Sequence, residues 1–218
     1  MTLGRGTVVT LSALLLTGCS GDAESDEPRV VQLASPGQSN RVLSEEEAAE
    51  LDTPEHTDAD VAFVQAMIPH HAQALEMTDL VPERTSRDDI PLLAERIALS
   101  QQDEIALLER WLTDRGEQIP DPHAHHHGSV ELMPGMLTDE QLTRLRVATG
   151  AEFDQLFLQS MIYHHEGALV MVDDLLTGGE GGQEPEIFQL AQHIDSDQRI
   201  EIARMNSLLR QMAATPAP

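Results

Sequence analysis

The chain has 218 residues and a formal charge of −25, enough length for one medium-sized domain with flanking segments. Every basic side chain is arginine, and the acidic excess disfavours nucleic acid and anionic lipid headgroups as partners while favouring cations. Hydrophobic residues make up 40 % of the chain but aromatics only 3 %, so the core is aliphatic, a composition that suits helices better than sheets.

Residues 1–18 read as a signal peptide: Arg5 supplies positive charge, and Val8 to Leu16 is an apolar run too short for a comfortable membrane span. Leu16-Thr17-Gly18-Cys19 resembles a bacterial lipobox. That resemblance implies cleavage before Cys19, lipidation of its thiol, and a membrane lipoprotein facing the extracytoplasmic side. An ordinary secretory peptide with an incidental cysteine is the alternative. Cys19 is the only cysteine, which excludes an intramolecular disulfide and a thiolate metal site in the mature domain. Residues 19–42, rich in Gly, Ser, Asp, Glu and Pro, read as a flexible tether.

The remainder of the chain is a duplication. At an offset of 94, Leu43-Ser44-Glu45-Glu46 matches Leu137-Thr138-Asp139-Glu140, and Met67, His70, His71 and Met77 match Met161, His164, His165 and Met171. The shared pattern is M-x-x-H-H-x5-M. After an insertion in the glycine-rich stretch 178–182 the offset becomes 97, and Gln101 and Glu104 match Gln198 and Glu201. The domain therefore divides into a first helical repeat (43–116), a His/Met-rich linker (117–136), a second repeat (137–212) and a short tail (213–218).

Each repeat predicts a short helix capped by Ser44 or Thr138, then two long ones. The motif helices are expected over about Asp58–Leu80, ended by Pro82, and about Glu152–Leu176, ended by Gly178. Their partners are expected over about Pro91–Arg115, stopped by Gly116, and about Pro185–Met212. No segment alternates with period two long enough to make a convincing strand. The fold class is all-α, a four-helix bundle built from two αα-hairpins. Pro69, inside the first motif helix, is expected to free the carbonyl of Gln65 and kink the helix.

On a helical wheel Asp60, Phe63, Met67, His70, His71, Ala74 and Met77 share one inward arc of roughly 140°, as do their equivalents from Asp154 to Met171. The partner helices carry Gln101 with Glu104, and Gln198 with Glu201, inside otherwise apolar stripes. Burying these groups is costly unless they find partners, and the inward histidines are the obvious ones. One reading of this polar layer is a hydrogen-bond network that fixes helix register, with Met as core filler. The other is a metal site, because imidazole with thioether suits copper, Cu(I) above all, better than magnesium or calcium. Its ligands would be Met161, His164, His165 and Met171, with Met67, His70, His71 and Met77 in a twin site. Asp60, Asp154, Gln101, Glu104, Gln198 and Glu201 are candidates for further ligands or for acceptors that orient an imidazole.

The linker holds His123, His125, His126 and His127 ahead of Met133 and Met136, a composition that binds Cu(II), Ni(II) or Zn(II) loosely or is simply a solvated loop. His56 and His193 are isolated in the sequence. Di-iron carboxylate bundles use Glu-x-x-His, and no histidine here has a glutamate three residues before it. Phosphate loops, G-x-S-x-G and H-E-x-x-H are also absent from the sequence.

At Phe157-x3-Met161-Ile162-x-His164-His165-Glu166-Gly167-Ala168-x2-Met171 and Gln198-x2-Glu201-Ile202-x2-Met205 the sequence resembles the bacterial domain-of-unknown-function 305 family, described as ferritin-like. The resemblance covers about Leu43 to Met212 in two copies. The first departs from it at Ala72-Gln73, where the second has Glu166-Gly167, and at Leu108, where the second has Met205. It implies a secreted or periplasmic helical bundle, and links to copper binding or resistance in some relatives. The expectation is thus a lipid-anchored, non-catalytic copper chaperone, buffer or resistance factor, with a copper ion as cofactor, membrane attachment through Cys19, no nucleic acid partner and the option of a homo-oligomer. The competing expectation is a structural or interaction lipoprotein whose polar layer serves folding alone. A third is a metal-dependent redox enzyme.

Overall fold

A computed structural model describes residues 31–32, 39–44, 46–47, 54–121 and 132–214. The signal peptide, Cys19, most of the tether and the linker histidines His123, His125, His126 and His127 lie outside the described residues. The chain divides into two units after Asp52.

In the first unit β1 (Val31–Gln32) pairs antiparallel with β2 (Arg41–Val42), with Val31 opposite Val42. The tether reading anticipated no such ladder, and two residues are too few to leave a period in the sequence. Ser44 forms the expected cap. Its hydroxyl accepts from the Glu47 amide at 3.2 Å while its own amide donates to Glu47 Oε2 at 3.0 Å. Residues 46–47 are helical, and residues 45 and 48–53, on which the rest of the expected short helix falls, lie outside the described residues.

The second unit has only helices as regular elements among its described residues: α1 (Asp58–Asp79), α2 (Val81–Arg84), α3 (Ile90–Arg115), α4 (Asp139–Val147), α5 (Gly150–Thr177) and α6 (Pro185–Ala214). Helices α1 and α3 form one hairpin and α5 and α6 the other, and the hairpins meet mainly through α1 and α5. The caps explain the boundaries. Thr57 with Asp60 opens α1, and Thr138 with Gln141 opens α4, both as capping boxes. Gly116, at φ 70°, closes α3 in the left-handed conformation that disfavours other residues; its amide reaches Thr113 O, and the Glu117 amide reaches Leu112 O at 2.9 Å. Pro82 does not end α1. It sits in the first turn of α2, where a missing N–H costs nothing. Pro69 lies within an uninterrupted α1.

The buried aliphatic residues form two clusters. One takes in Met77, Ile97, Phe157, Met161 and Met205, with Leu142 and Leu145 of α4 packed in. The other takes in Met67, Leu108, Trp111, Met171 and Ile194. Along each long helix, the polar positions fall between the two: 70 and 71 on α1, 101 and 104 on α3, 164 and 165 on α5, 198 and 201 on α6. The bundle is thus two apolar compartments separated by one polar layer. Each fully buried Leu, Ile or Phe contributes about 1.5–3 kcal/mol by leaving water, so the compartments hold the helices together while the layer between them does not.

Trp111 anchors a corner where the hairpins touch. Its indole donates to Glu184 Oε2 at 3.2 Å, Arg115 lies 4.1 Å over its ring, and His56 packs edge-on at 5.5 Å. Glu184 in turn caps α6 by accepting from the Ile187 amide at 2.9 Å. Burial opposes ionisation of Glu184, but that amide, the indole and Arg115 outweigh it and hold its pKa below the usual value.

Candidate metal centre

The layer is built from four histidines that are 0–1 % exposed. Consecutive residues on a helix point about 100° apart, so the two histidines of each motif face different neighbours. His70 and His164 turn toward each other, with ring centroids 3.9 Å apart. These are equivalent residues of the two repeats, so the pseudo-twofold axis relating the hairpins passes between their rings. His71 and His165 turn outward to the partner helices. His165 Nε2 lies 2.6 Å from Glu201 Oε2 as a hydrogen bond. His71 Nε2 lies 2.6 Å from Glu104 Oε2, close enough to be paired although the angle departs from a hydrogen bond.

With Nε2 of His165 donating to Glu201, the lone pair of its neutral form sits on Nδ1. Nδ1 of both His71 and His165 is buried without a hydrogen-bond partner. His70 Nε2 lies 2.9 Å from the carbonyl of Pro134, which can only accept, so this ring too carries its lone pair on Nδ1. Neither nitrogen of His164 meets strict hydrogen-bond geometry, although the His70 backbone lies close enough to favour the charged ring. Burial, reinforced by His70, His165 and His71, pushes the His164 pKa well below the usual histidine value, so the ring is neutral.

The linker returns over this layer. A Cβ on Gly167 would collide with the Pro134 carbonyl, and one on Gly135 would lie 2.6 Å from the His164 carbonyl oxygen. Only glycine lets the Met133-Pro134-Gly135-Met136 turn come so close to α5. From the other side Gln73 clamps the turn, donating to Leu137 O at 3.0 Å and accepting from the Leu137 amide at 2.7 Å. Gln73 and Gly167 occupy equivalent positions, so the departure of the first repeat from the second is the two halves of one docking site. The mismatch is plain in the sequence, but nothing there says that one linker must touch both positions.

The remaining expected residues divide. Met67 and Met171 lie in one apolar compartment, Met77 and Met161 in the other. The four-residue sets read along one helix are therefore split, since residues ten apart stand ~15 Å apart along the axis. Each compartment instead pairs the leading methionine of one repeat with the trailing methionine of the other. Asp60 and Asp154 are not in the layer. Asp60 accepts from the Gly182 amide at 2.6 Å, and Asp154 from the hydroxyls of Thr85 and Ser86, each at 2.6 Å. Each aspartate holds the loop of the opposite hairpin. Gln101 and Gln198 are in the layer, but both polar atoms of the Gln101 amide and the Gln198 carbonyl oxygen have no hydrogen-bond partner.

The donor set suits a soft or borderline cation: buried imidazole nitrogens, two of the rings set against carboxylates, with thioethers above and below. Among the described residues, no three His, Cys, Asp or Glu side chains already converge on one point. A metal here would recruit a thioether or draw the side chains together.

Residues 60–209 match the family described as Domain of unknown function (DUF305). A DUF305 fragment from Deinococcus radiodurans is 30 % identical, with a TM-score of 0.63 over 72 % of this chain and 99 % of that one. A DUF305 protein from Streptomyces coelicolor is 27 % identical, with a TM-score of 0.62 over 73 % and 97 %. CopM in its Cu(II)-bound form is 27 % identical, with a TM-score of 0.59 over 70 % and 97 %. CopM also has Cu(I)-bound, silver-bound and apo structures. Among curated proteins none matches.

Proposed function

The chain belongs to the DUF305 family, and from that premise we propose that it is a copper-binding protein of the extracytoplasmic side, tethered by a lipid on Cys19 and acting as a chaperone, buffer or resistance factor. One observation carries this reading: four buried histidines in a single layer, two of them anchored by carboxylates at 2.6 Å with Nδ1 left unpartnered. A network built for folding alone has no use for such unpartnered nitrogens, because an unsatisfied buried polar atom costs about 1–3 kcal/mol. The copper and silver forms of CopM support the choice of ion.

In this reading copper would be held by imidazole nitrogens of His70, His71, His164 and His165 with one or more of Met67, Met77, Met161 and Met171. Copper supplies the affinity for nitrogen and sulfur donors. The protein supplies a neutral His164, carboxylates of Glu104 and Glu201 beside His71 and His165, and a water-excluding shell. The protein is a binder rather than an enzyme, with neither nucleic acid nor a catalytic substrate as partner.

The test is competition titration of the full chain with Cu(I) and Cu(II), after replacing His123, His125, His126 and His127 by Ala. Uptake that disappears when His71 and His165 are also replaced supports the site. Equal uptake with and without that pair rejects it. A second reading is favoured by the absence of three convergent groups among the described residues: the layer sets helix register only. It predicts that neither copper nor a chelator moves the melting temperature.

A further inference from the structure

Two grooves run between α3 and α6, and each ends on one of the carboxylates that hold an outward histidine. One is lined by Asp103, Glu104, His193 and Asp197, together with Ser and Leu residues. The other is lined by Asp89, Glu95, Arg96, Glu201 and Arg204, with Leu92, Leu93 and Ile200. The pseudo-twofold axis makes them equivalent: Glu104 matches Glu201, His193 matches Arg96, Leu107 matches Arg204 and Asp103 matches Ile200. The duplication therefore built the same opening twice, and the side chains then diverged.

The divergence is in charge. The Glu104 groove has three carboxylates, one histidine and no arginine. The Glu201 groove has three carboxylates facing two arginines. Glu104, in the wall of the acidic groove, also reaches inward. The Glu104 side chain is 7 % exposed, its Oε1 has no hydrogen-bond partner, and its Oε2 reaches His71 Nε2 at 2.6 Å. The Glu104 side chain thus lies between the groove, which it lines, and the buried imidazole, with both carboxylate oxygens shielded from solvent. His193, isolated in the sequence and exposed on α6, acquires a neighbourhood here.

We propose that the Asp103–Glu104–His193–Asp197 groove is the port by which a cation passes between solvent and the histidine layer, and that the arginine-lined groove is closed to cations. The proposal rests on the copper reading above and adds to it a route and a side. A groove of one sign in a low-dielectric wall concentrates counter-ions and raises on-rates by roughly 10–10³-fold, with steep dependence on ionic strength. Arg96 and Arg204 remove that advantage at the equivalent opening. Loading thus begins at His71 and Glu104, in the first repeat.

The test is stopped-flow loading of the full chain by Cu(II) at low salt, with the four linker histidines replaced by Ala. The D103N/D197N variant should load about 10-fold more slowly with its equilibrium affinity changed less than about 2-fold, and the gap should close at high salt. L107R, which installs the equivalent arginine, should slow loading too, while D89N/E95Q in the other groove should leave the rate unchanged. An unchanged rate in D103N/D197N, or equal slowing by D89N/E95Q, overturns the port while leaving copper binding intact. A wild-type chain that takes up no copper overturns both.

Discussion

The two repeats share helices, motif and inward face, yet they meet the linker differently. In the first, Gln73 clamps Leu137 through both of its amide atoms, and His70 reaches the Pro134 carbonyl. In the second, Gly167 clears space for the same turn. A duplicated hairpin can give a symmetric layer, but one connecting segment crosses it only once. The asymmetry between Gln73 and Gly167 is therefore complementary: one clamps the turn and the other makes room for it.

Exchanging the two sides breaks this comparison most sharply. Gly167→Ala drives a methyl group into the Pro134 backbone and should cost about 3 kcal/mol, whereas an alanine at exposed Thr177, near the end of the same helix, should be nearly neutral. Urea denaturation measures both; a neutral Gly167→Ala would mean the linker does not dock. Gln73→Ala removes the clamp and strands a buried Leu137 amide, for about 2 kcal/mol. If the clamp is dispensable, its denaturation midpoint will not move.

Asp60 and Asp154 sharpen the boundary of the layer. Asp154→Ala and Asp60→Ala should each destabilise by about 1–3 kcal/mol by releasing a loop, while copper stoichiometry by titration stays the same. A lost equivalent of copper in either variant would return that aspartate to the site.

The smallest effect is in acid. The His164 pKa is depressed in the folded state, so below the usual value of 6.5 the unfolded chain binds more protons. The stability contributed by the neutral ring is complete above that value and declines as the pH falls through the window beneath it, by up to about 1.4 kcal/mol per pH unit. In the metal-free protein His164→Gln should flatten this slope relative to wild type. Identical slopes would mean that His164 ionises normally.

Much of this was legible in the sequence. The helix ends at Thr138 and Gly116 were read correctly, the Thr57 cap was not, and the wheel placed His70, His71, His164 and His165 inward along with Glu104 and Glu201. A wheel gives a face but not the neighbour across it. It could not show that His70 would meet its own equivalent while His71 turned to Glu104, because that depends on how two hairpins dock. Met161 and Met171 looked like one site, although ten residues of helix set them ~15 Å apart along the axis, and the docking of the hairpins places each beside a methionine of the other repeat. Asp60 and Asp154 share the inward arc, yet they sit at helix ends where the opposite loops need acceptors. Gln73 was visible only as a mismatch between repeats.

The central claim is that the histidine layer holds copper. X-ray absorption at the copper edge, on the Cu(I)-loaded full chain with His123, His125, His126 and His127 replaced by Ala, tests it most directly. The account predicts imidazole nitrogen together with thioether sulfur around the copper, with the nitrogen contribution falling when His71 and His165 are replaced. A spectrum without sulfur that those replacements leave unchanged would contradict it.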